Sequence, residues 1–216
     1  MILDKNIHVV DYETFSNTKA VDSFLSLAKK RNTKLVALYT HGRLGFMRFT
    51  LGSFAETAIH RSKIDLLLAN PETNFSPKVK SIFYASDFSP SSKKHLKRVI
   101  EISKKIGAQL TVFHATEIIY KLSFDELNPE IVSYRNKLRR IEVWIEQECK
   151  KLEVSCKVII TSEFTPSTEL ALNNAKKARA DLIVVSAKVG PMAALMGGSV
   201  TRYIVRASTK PVLVLK

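Results

Sequence analysis

Residues 181–205 read D-L-I-V-V-S-A-K-V-G-P-M-A-A-L-M-G-G-S-V-T-R-Y-I-V, and this stretch decides the fold. It opens on Leu182 to Val185, an apolar and mostly β-branched run of the kind that forms a strand buried on both faces. A loop containing Gly190, Gly197 and Gly198 follows. Gly198-Ser199 then leads into a segment whose apolar residues Val200, Tyr203 and Ile204 fall at helical spacing. A strand that ends in a glycine-rich loop and opens a helix is a device for holding phosphate. Glycine lets the backbone approach an anion, and the N–H groups at the helix start point toward it.

A second copy lies near the N-terminus. Residues 34–58 read K-L-V-A-L-Y-T-H-G-R-L-G-F-M-R-F-T-L-G-S-F-A-E-T-A, with the same order of apolar strand, glycines, Gly52-Ser53 and helix. The continuation agrees as well. Ile59-His60-Arg61-Ser62-Lys63 precedes the apolar run Leu66-Leu67-Leu68, as Val205-Arg206-Ala207-Ser208-Thr209 precedes Val212-Leu213-Val214-Leu215. The chain therefore carries an internal repeat.

These residues resemble the universal stress protein family. Its nucleotide signature, G-x2-G-x9-G-[ST], lies between the fourth strand and the fourth helix of a five-stranded α/β domain. The N-terminal copy shows Tyr39-x2-Gly42-x9-Gly52-Ser53, with only the first glycine replaced. The C-terminal copy shows Ser186, then Val189-Gly190, then Gly198-Ser199, with a loop one residue shorter.

Working outward, alternating strands and helices predict an α/β fold with right-handed crossovers. In residues 80–216, strands are expected at Ser81–Ser86, Gln109–His114, Ser155–Thr161, the motif strand and Val212–Leu215. Helices are expected from Pro90 to Gly107, from near Pro129, over Pro166–Arg179 and after the motif loop. The first helix should turn Leu96, Val99, Ile100, Ser103 and Ile106 inward, and the long one Ile131, Tyr134, Leu138, Ile141, Ile145 and Leu152. Trp144 beside that stripe reads as packing. The resemblance implies a complete universal stress domain here, Rossmann-like and similar to the adenine nucleotide alpha hydrolases. It implies a parallel five-stranded sheet in the order 3-2-1-4-5, flanked by helices.

Residues 1–70 match only the last part of such a domain. Strands are expected at Ile7–Tyr12, Leu35–Tyr39 and Ile64–Ala69, with a helix capped by Asn17 or Thr18 running through Arg31. Residues 71–79, rich in Pro, Ser, Asn and Thr, read as a linker. The expected organisation is thus a tandem-type protein whose N-terminal half-domain lacks the first two strands and helices. Whether Met1 is the native start stays open. In this family, domains pair antiparallel through their fifth strands, which here are Ile64–Ala69 and Val212–Leu215.

The resemblance also implies a site at the carboxyl ends of the strands. Ser86 and Asp87 end the first strand, and Asp87 matches the carboxylate that holds the adenosine part. Ala115 matches the backbone position that reads the adenine edge. Gly198, Ser199, Val200 and Thr201 match the phosphate-binding helix start. Ser186 and Gly190 belong to the altered glycine loop, where Lys188 offers a direct charge to phosphates. A Cβ at a glycine position can block backbone approach, so binding of ATP with Mg²⁺ and a degenerate, empty site are both open. The N-terminal copy keeps Gly42, Gly52 and Ser53 but lacks the strand that would carry its own Asp.

Composition narrows the classes. The chain has 216 residues, 45% hydrophobic and 25% charged, ordinary for a globular protein. No apolar run approaches the ~20 residues of a membrane span. The N-terminus carries no signal-peptide pattern, and the two cysteines, Cys149 and Cys156, form no disulfide framework or metal motif, so the cytoplasm is expected. Net charge is +14, from 34 Lys and Arg against 20 Asp and Glu. The lysines scatter over helix faces without interleaved aromatics, so a solvated basic surface is expected rather than a nucleic-acid partner. No catalytic pairing with a recognisable signature is present, and His8, His60 and His95 carry no constellation. At most slow ATP hydrolysis is expected. Two functions remain: a nucleotide-binding regulatory protein, or a nucleotide-free scaffold of the same fold. A homo-oligomer is expected for either.

Overall fold

The apolar runs of the sequence become strands: those in the middle of the sheet are covered on both faces, while at one edge Leu35, Ala37 and Tyr39 turn a face to solvent. The structure, a computed structural model, describes residues 16–40, 53–116, 129–161, 165–187 and 199–216. In chain order the elements are α1 (Asn17–Lys30), β1 (Leu35–Tyr39), α2 (Ser53–Arg61), β2 (Asp65–Ala69), β3 (Ser81–Ala85), α3 (Pro90–Ile106) and β4 (Gln109–Ala115). They continue with α4 (Pro129–Lys151), β5 (Cys156–Thr161), α5 (Ser167–Lys177), β6 (Leu182–Ser186), α6 (Ser199–Ala207) and β7 (Val212–Leu215). The strand expected at Ile7–Tyr12 lies outside the described residues.

One seven-stranded sheet runs β1-β2-β7-β6-β3-β4-β5. Within residues 80–216 every pairing is parallel, and the strand order is the expected 3-2-1-4-5. β1 and β2 are parallel to each other. β2 meets β7 antiparallel, with Leu66, Leu67 and Leu68 opposite Val214, Leu213 and Val212. The sheet as a whole is therefore mixed rather than purely parallel. All four residues of β7 are buried, as expected of a strand covered on both faces with neighbours on both sides.

Side chains alternate across the sheet. Ile183 and Val185 of β6 join Val21, Ile59, Leu66, Leu68, Leu170 and Ile204 in the core beneath α1, α2, α5 and α6. Leu182 and Val184 join Leu96, Val99, Ile100, Leu138, Ile141 and Ile145 beneath α3 and α4. Trp144 packs against that second core.

The helix readings need small corrections. α1 is capped by Ser16, which makes no side-chain cap bond, so neither Asn17 nor Thr18 is the cap. Instead Asn17 Nδ2 donates to Ser53 Oγ at 2.8 Å. α3 begins as expected, with Pro90 in its first turn and Ser89 as cap, and it stops at Gly107 (φ +68°), a conformation glycine adopts without Cβ strain. Ile106, expected inside, is exposed. So is Leu152, because α4 ends at Lys151 before the stripe returns to the core, and Cys149 takes the last buried place.

The repeat is visible in bonds as well as in letters. Ser62 Oγ donates to Ile64 O at 2.6 Å and accepts from Ile64 N at 3.0 Å. Ser208 Oγ does the same with Lys210, at 2.7 and 2.9 Å. Each serine turns the chain from a helix into the next strand. The residues just past β2 and β7 then reach across to each other's helices. Buried Asn70 donates from Nδ2 to the carbonyls of Val205, Arg206 and Ser208, closing the end of α6. Lys216 Nζ donates to Ile59 O in α2. Arg202 of α6 pairs with Glu56 of α2 at 2.5 Å, two residues that occupy matching places in the repeat. Arg98 of α3 pairs with Asp65 of β2.

Candidate functional site

The chain winds from β3 outward to β4 and β5, then returns to β6 on the other side of β3. Such a reversal leaves a crevice at the carboxyl ends of the two strands where the crossovers part. Ser86 and Asp87 follow β3 there, Ala115 ends β4 and Ser186 ends β6; α6, the crossover from β6 to the parallel strand β7, begins at Ser199 on the same side of the sheet.

Asp87 is exposed, and its orientation is fixed locally. Its Oδ1 accepts from Ser89 N at 3.0 Å and from Ser92 Oγ at 2.5 Å. The sequence S-D-F-S-P explains this: a carboxylate two residues before a helix cap bonds the turn that enters the helix. Phe88, next in line, sits at φ +52°, in the left-handed region that costs a non-glycine residue about 1 kcal/mol. Its N–H donates to Ser86 Oγ at 3.1 Å, and its ring stacks on His114 at a centroid distance of 4.5 Å. His114 Nδ1 lies 2.8 Å from Ser86 O. A carbonyl only accepts, so Nδ1 carries the proton. Burial holds the His114 pKa below its ordinary value, against the Ser86 bond and the Asp87 charge, which raise it.

Ser186 stands at the first glycine position of the signature, and its hydroxyl turns onto a face of the sheet. It lies 2.7 Å from Tyr84 Oη and 2.9 Å from His95 Nδ1. Tyr84 Oη also donates to Ser92 O at 3.2 Å. Ser92 Oγ returns the network to Asp87. A chain of polar groups thus runs from the exposed carboxylate through α3 to the end of β6. His95 was expected to carry no constellation; the structure places it inside this one. Desolvation first, with the Arg98 charge, lowers its pKa. Its place on the inner face of α3, four residues before Val99 and one before Leu96, was the available signal. Burial also raises the Tyr84 pKa.

At the helix start, Val200 is exposed while Thr201 is buried, and the first turn of α6 carries no acidic residue. Ala115 packs partly against the core below α5 and α6. Lys188, Gly190 and Gly198 lie outside the described residues, as do Gly42 and Gly52 of the N-terminal copy. Ser53 of that copy begins α2, and its hydroxyl is engaged by Asn17. The antiparallel junction turns the N-terminal copy to the opposite pole of the sheet from Asp87. Among the described residues no group of three or more His, Cys, Asp or Glu side chains could hold a metal ion. None of the described helices is long and apolar enough to cross a membrane.

The universal stress protein family model matches residues 7–70 and 78–216. A solved universal stress protein from Archaeoglobus fulgidus is similar at TM-score 0.69 and 21% identity, over 91% of this chain and 66% of that one. A Pseudomonas aeruginosa protein provisionally assigned to the same family gives 0.64 at 16% identity, over 89% and 66%. A functionally unknown protein from Pseudomonas aeruginosa gives 0.59 at 16% identity, over 94% and 69%. The chain thus spans 66% of the length of the first two structures. No curated protein sequence matches it.

Proposed function

The chain belongs to the universal stress protein family, and we propose that it is a regulatory protein that binds ATP at the carboxyl ends of β3, β4 and β6. The observation that carries this reading is Asp87: an exposed carboxylate, oriented by Ser89 and Ser92, at the carboxyl end of β3 where the crossovers part. A carboxylate so placed can accept from ribose hydroxyls or from a base amine. Ala115 lies at the end of the neighbouring strand, where its backbone would meet the adenine edge. Ser199, Val200 and Thr201 open α6, whose free N–H groups suit phosphate. The turn of the Ser186 hydroxyl toward Tyr84 and His95 also supports binding, because it draws that side chain onto the face of the sheet. Lys188, Gly190 and Gly198 complete the proposed phosphate side by their sequence positions, and Mg²⁺ would arrive with the nucleotide.

Calorimetric titration of ATP into the full chain tests this. Wild type should bind, and Asp87→Ala should lose about 1–3 kcal/mol, the range for a hydrogen bond to a charged group. Unchanged affinity in the variant would remove Asp87 from the site.

A second reading has its own observation. The Asp87 carboxylate already serves the turn into α3, a structural role that needs no ligand. On that reading the protein is a nucleotide-free scaffold. Absence of ATP binding by wild type, together with no nucleotide released on heat denaturation, would establish the scaffold and end the first proposal.

A further inference from the structure

At the opposite pole from Asp87, where β3 and β4 begin and α3 and α5 end, lies a cavity of about 570 Å³. Lys78, Lys80, Arg179, Asp181, Gln109 and Ser81 are among the residues that line it. It is an open depression rather than an enclosed cavity, so a ligand there would keep one side in solvent.

The cavity is built around one carboxylate whose oxygens are taken up by the chain itself. Asp181 Oδ1 accepts from Ser76 Oγ at 2.5 Å, and Oδ2 accepts from the backbone N–H groups of Lys80 and Ser81 at 2.8 and 3.2 Å. These bonds dock the 71–80 segment at the amino ends of β3 and β6, and Lys78, Lys80 and Arg179 line the same depression. None of the ion pairs among the described residues involves these three cations.

The helix ends do not account for them. Lys104, Lys105, Lys176 and Lys177 close the last turns of α3 and α5, where a cation suits the helix dipole. Lys78 and Lys80 lie on no helix. Arg179 lies past α5 at φ +50°, beyond the terminal turn. The terminal carbonyls that would repel an anion are already bonded. Lys104 O and Ser103 O accept from Gly107 and Ala108, Lys176 O and Ala175 O accept from Arg179 and Ala180, and Ala178 O accepts from Ser81 Oγ.

We propose that this cavity binds a small polyanion carrying two or more linked phosphate groups. Three cations set against one internally bonded carboxylate leave an excess of positive charge suited to such a ligand. The guanidinium of Arg179 offers the paired donors that match two phosphate oxygens, and the lysines add compact point charges. The site is distinct from the one proposed at Asp87 and does not depend on it.

The test uses the full chain at low salt, with inorganic tripolyphosphate as the probe and amide chemical shifts as the map. Wild type should bind, with shifts at Gly107, Gln109 and Arg179. A Lys78→Gln/Lys80→Gln/Arg179→Gln variant should bind about 3- to 100-fold more weakly, since each such charge contact contributes about a factor of 1.4 to five. All three substituted side chains are exposed, and an unchanged melting temperature verifies that the variant is folded. No binding by wild type, or equal binding by the triple variant, would overturn the proposal. So would shifts confined to Val200 and Thr201, which would place the anion at α6. Citrate binding as tightly as tripolyphosphate would overturn the phosphate assignment. A DNA duplex that binds through these cations and is not displaced by tripolyphosphate would make the face a nucleic-acid interface instead.

Discussion

Ser186 shows how one replaced glycine is accommodated. Its hydroxyl meets two buried partners, Tyr84 and His95, and the buried polar side-chain atoms among the described residues all have partners. Ser186→Gly restores the family signature letter but strips Tyr84 and His95 of a shared partner. It should destabilise the fold by about 1–2 kcal/mol, as expected for a lost buried hydrogen bond plus a more flexible residue. Urea denaturation measures this, and a variant as stable as wild type would mean the network contributes nothing. The site was only partly legible at this scale. Asp87 announced its turn through S-D-F-S-P. Tyr84 and His95 were hidden because a polar residue on an apolar helix face, or inside a strand, looks in one dimension like an interruption of the pattern. Only the fold brings residues 84, 95 and 186 together.

At the scale of elements, the apolar runs located β1 to β7; the reason is plainest for β3, β6 and β7, which are apolar over nearly their whole length because both faces are covered. Periodicity could not say where helices stop, which is why Ile106 and Leu152 were placed inside and lie outside. The junction of β2 with β7 is where a pH effect belongs. Lys216, just past β7, is half-buried with its amine against α2, and desolvation lowers its pKa from 10.5 to about 8 despite the opposing charge of Asp65. Below pH 8 the folded chain therefore bears the penalty of a partly desolvated cation. Above it the folded chain releases the proton, while the unfolded chain holds it until about 10.5. Stability attributable to Lys216 should rise with pH through this window, by up to about 3 kcal/mol at 1.36 kcal/mol per pKa unit. Lys216→Met should remove that rise, measured as the difference between the two proteins' unfolding free energies from pH 7 to 10. A difference that stays flat would show that the amine keeps an ordinary pKa.

For the whole molecule, the seven-stranded sheet makes the N-terminal segment dependent on the rest. Leu66 and Leu68 of β2 are fully buried in a core that also holds Val212, Val214, Ile204 and Val205. We expect residues 1–70 expressed alone to be insoluble or to melt without cooperativity, since so short a piece loses those contacts and exposes a strand edge. A sharp, reversible calorimetric transition from that fragment would refute this. The same junction also sets a timetable. β2 leaves the ribosome early, and the strand it must lie against is made only at residues 212–215. At about 5–20 residues per second, the roughly 140 residues between them take about 7–30 s to make. Through that interval the nascent chain carries Leu66 and Leu68 without the partner strand that later covers them. Chaperone demand during synthesis is thus written into the order of the strands.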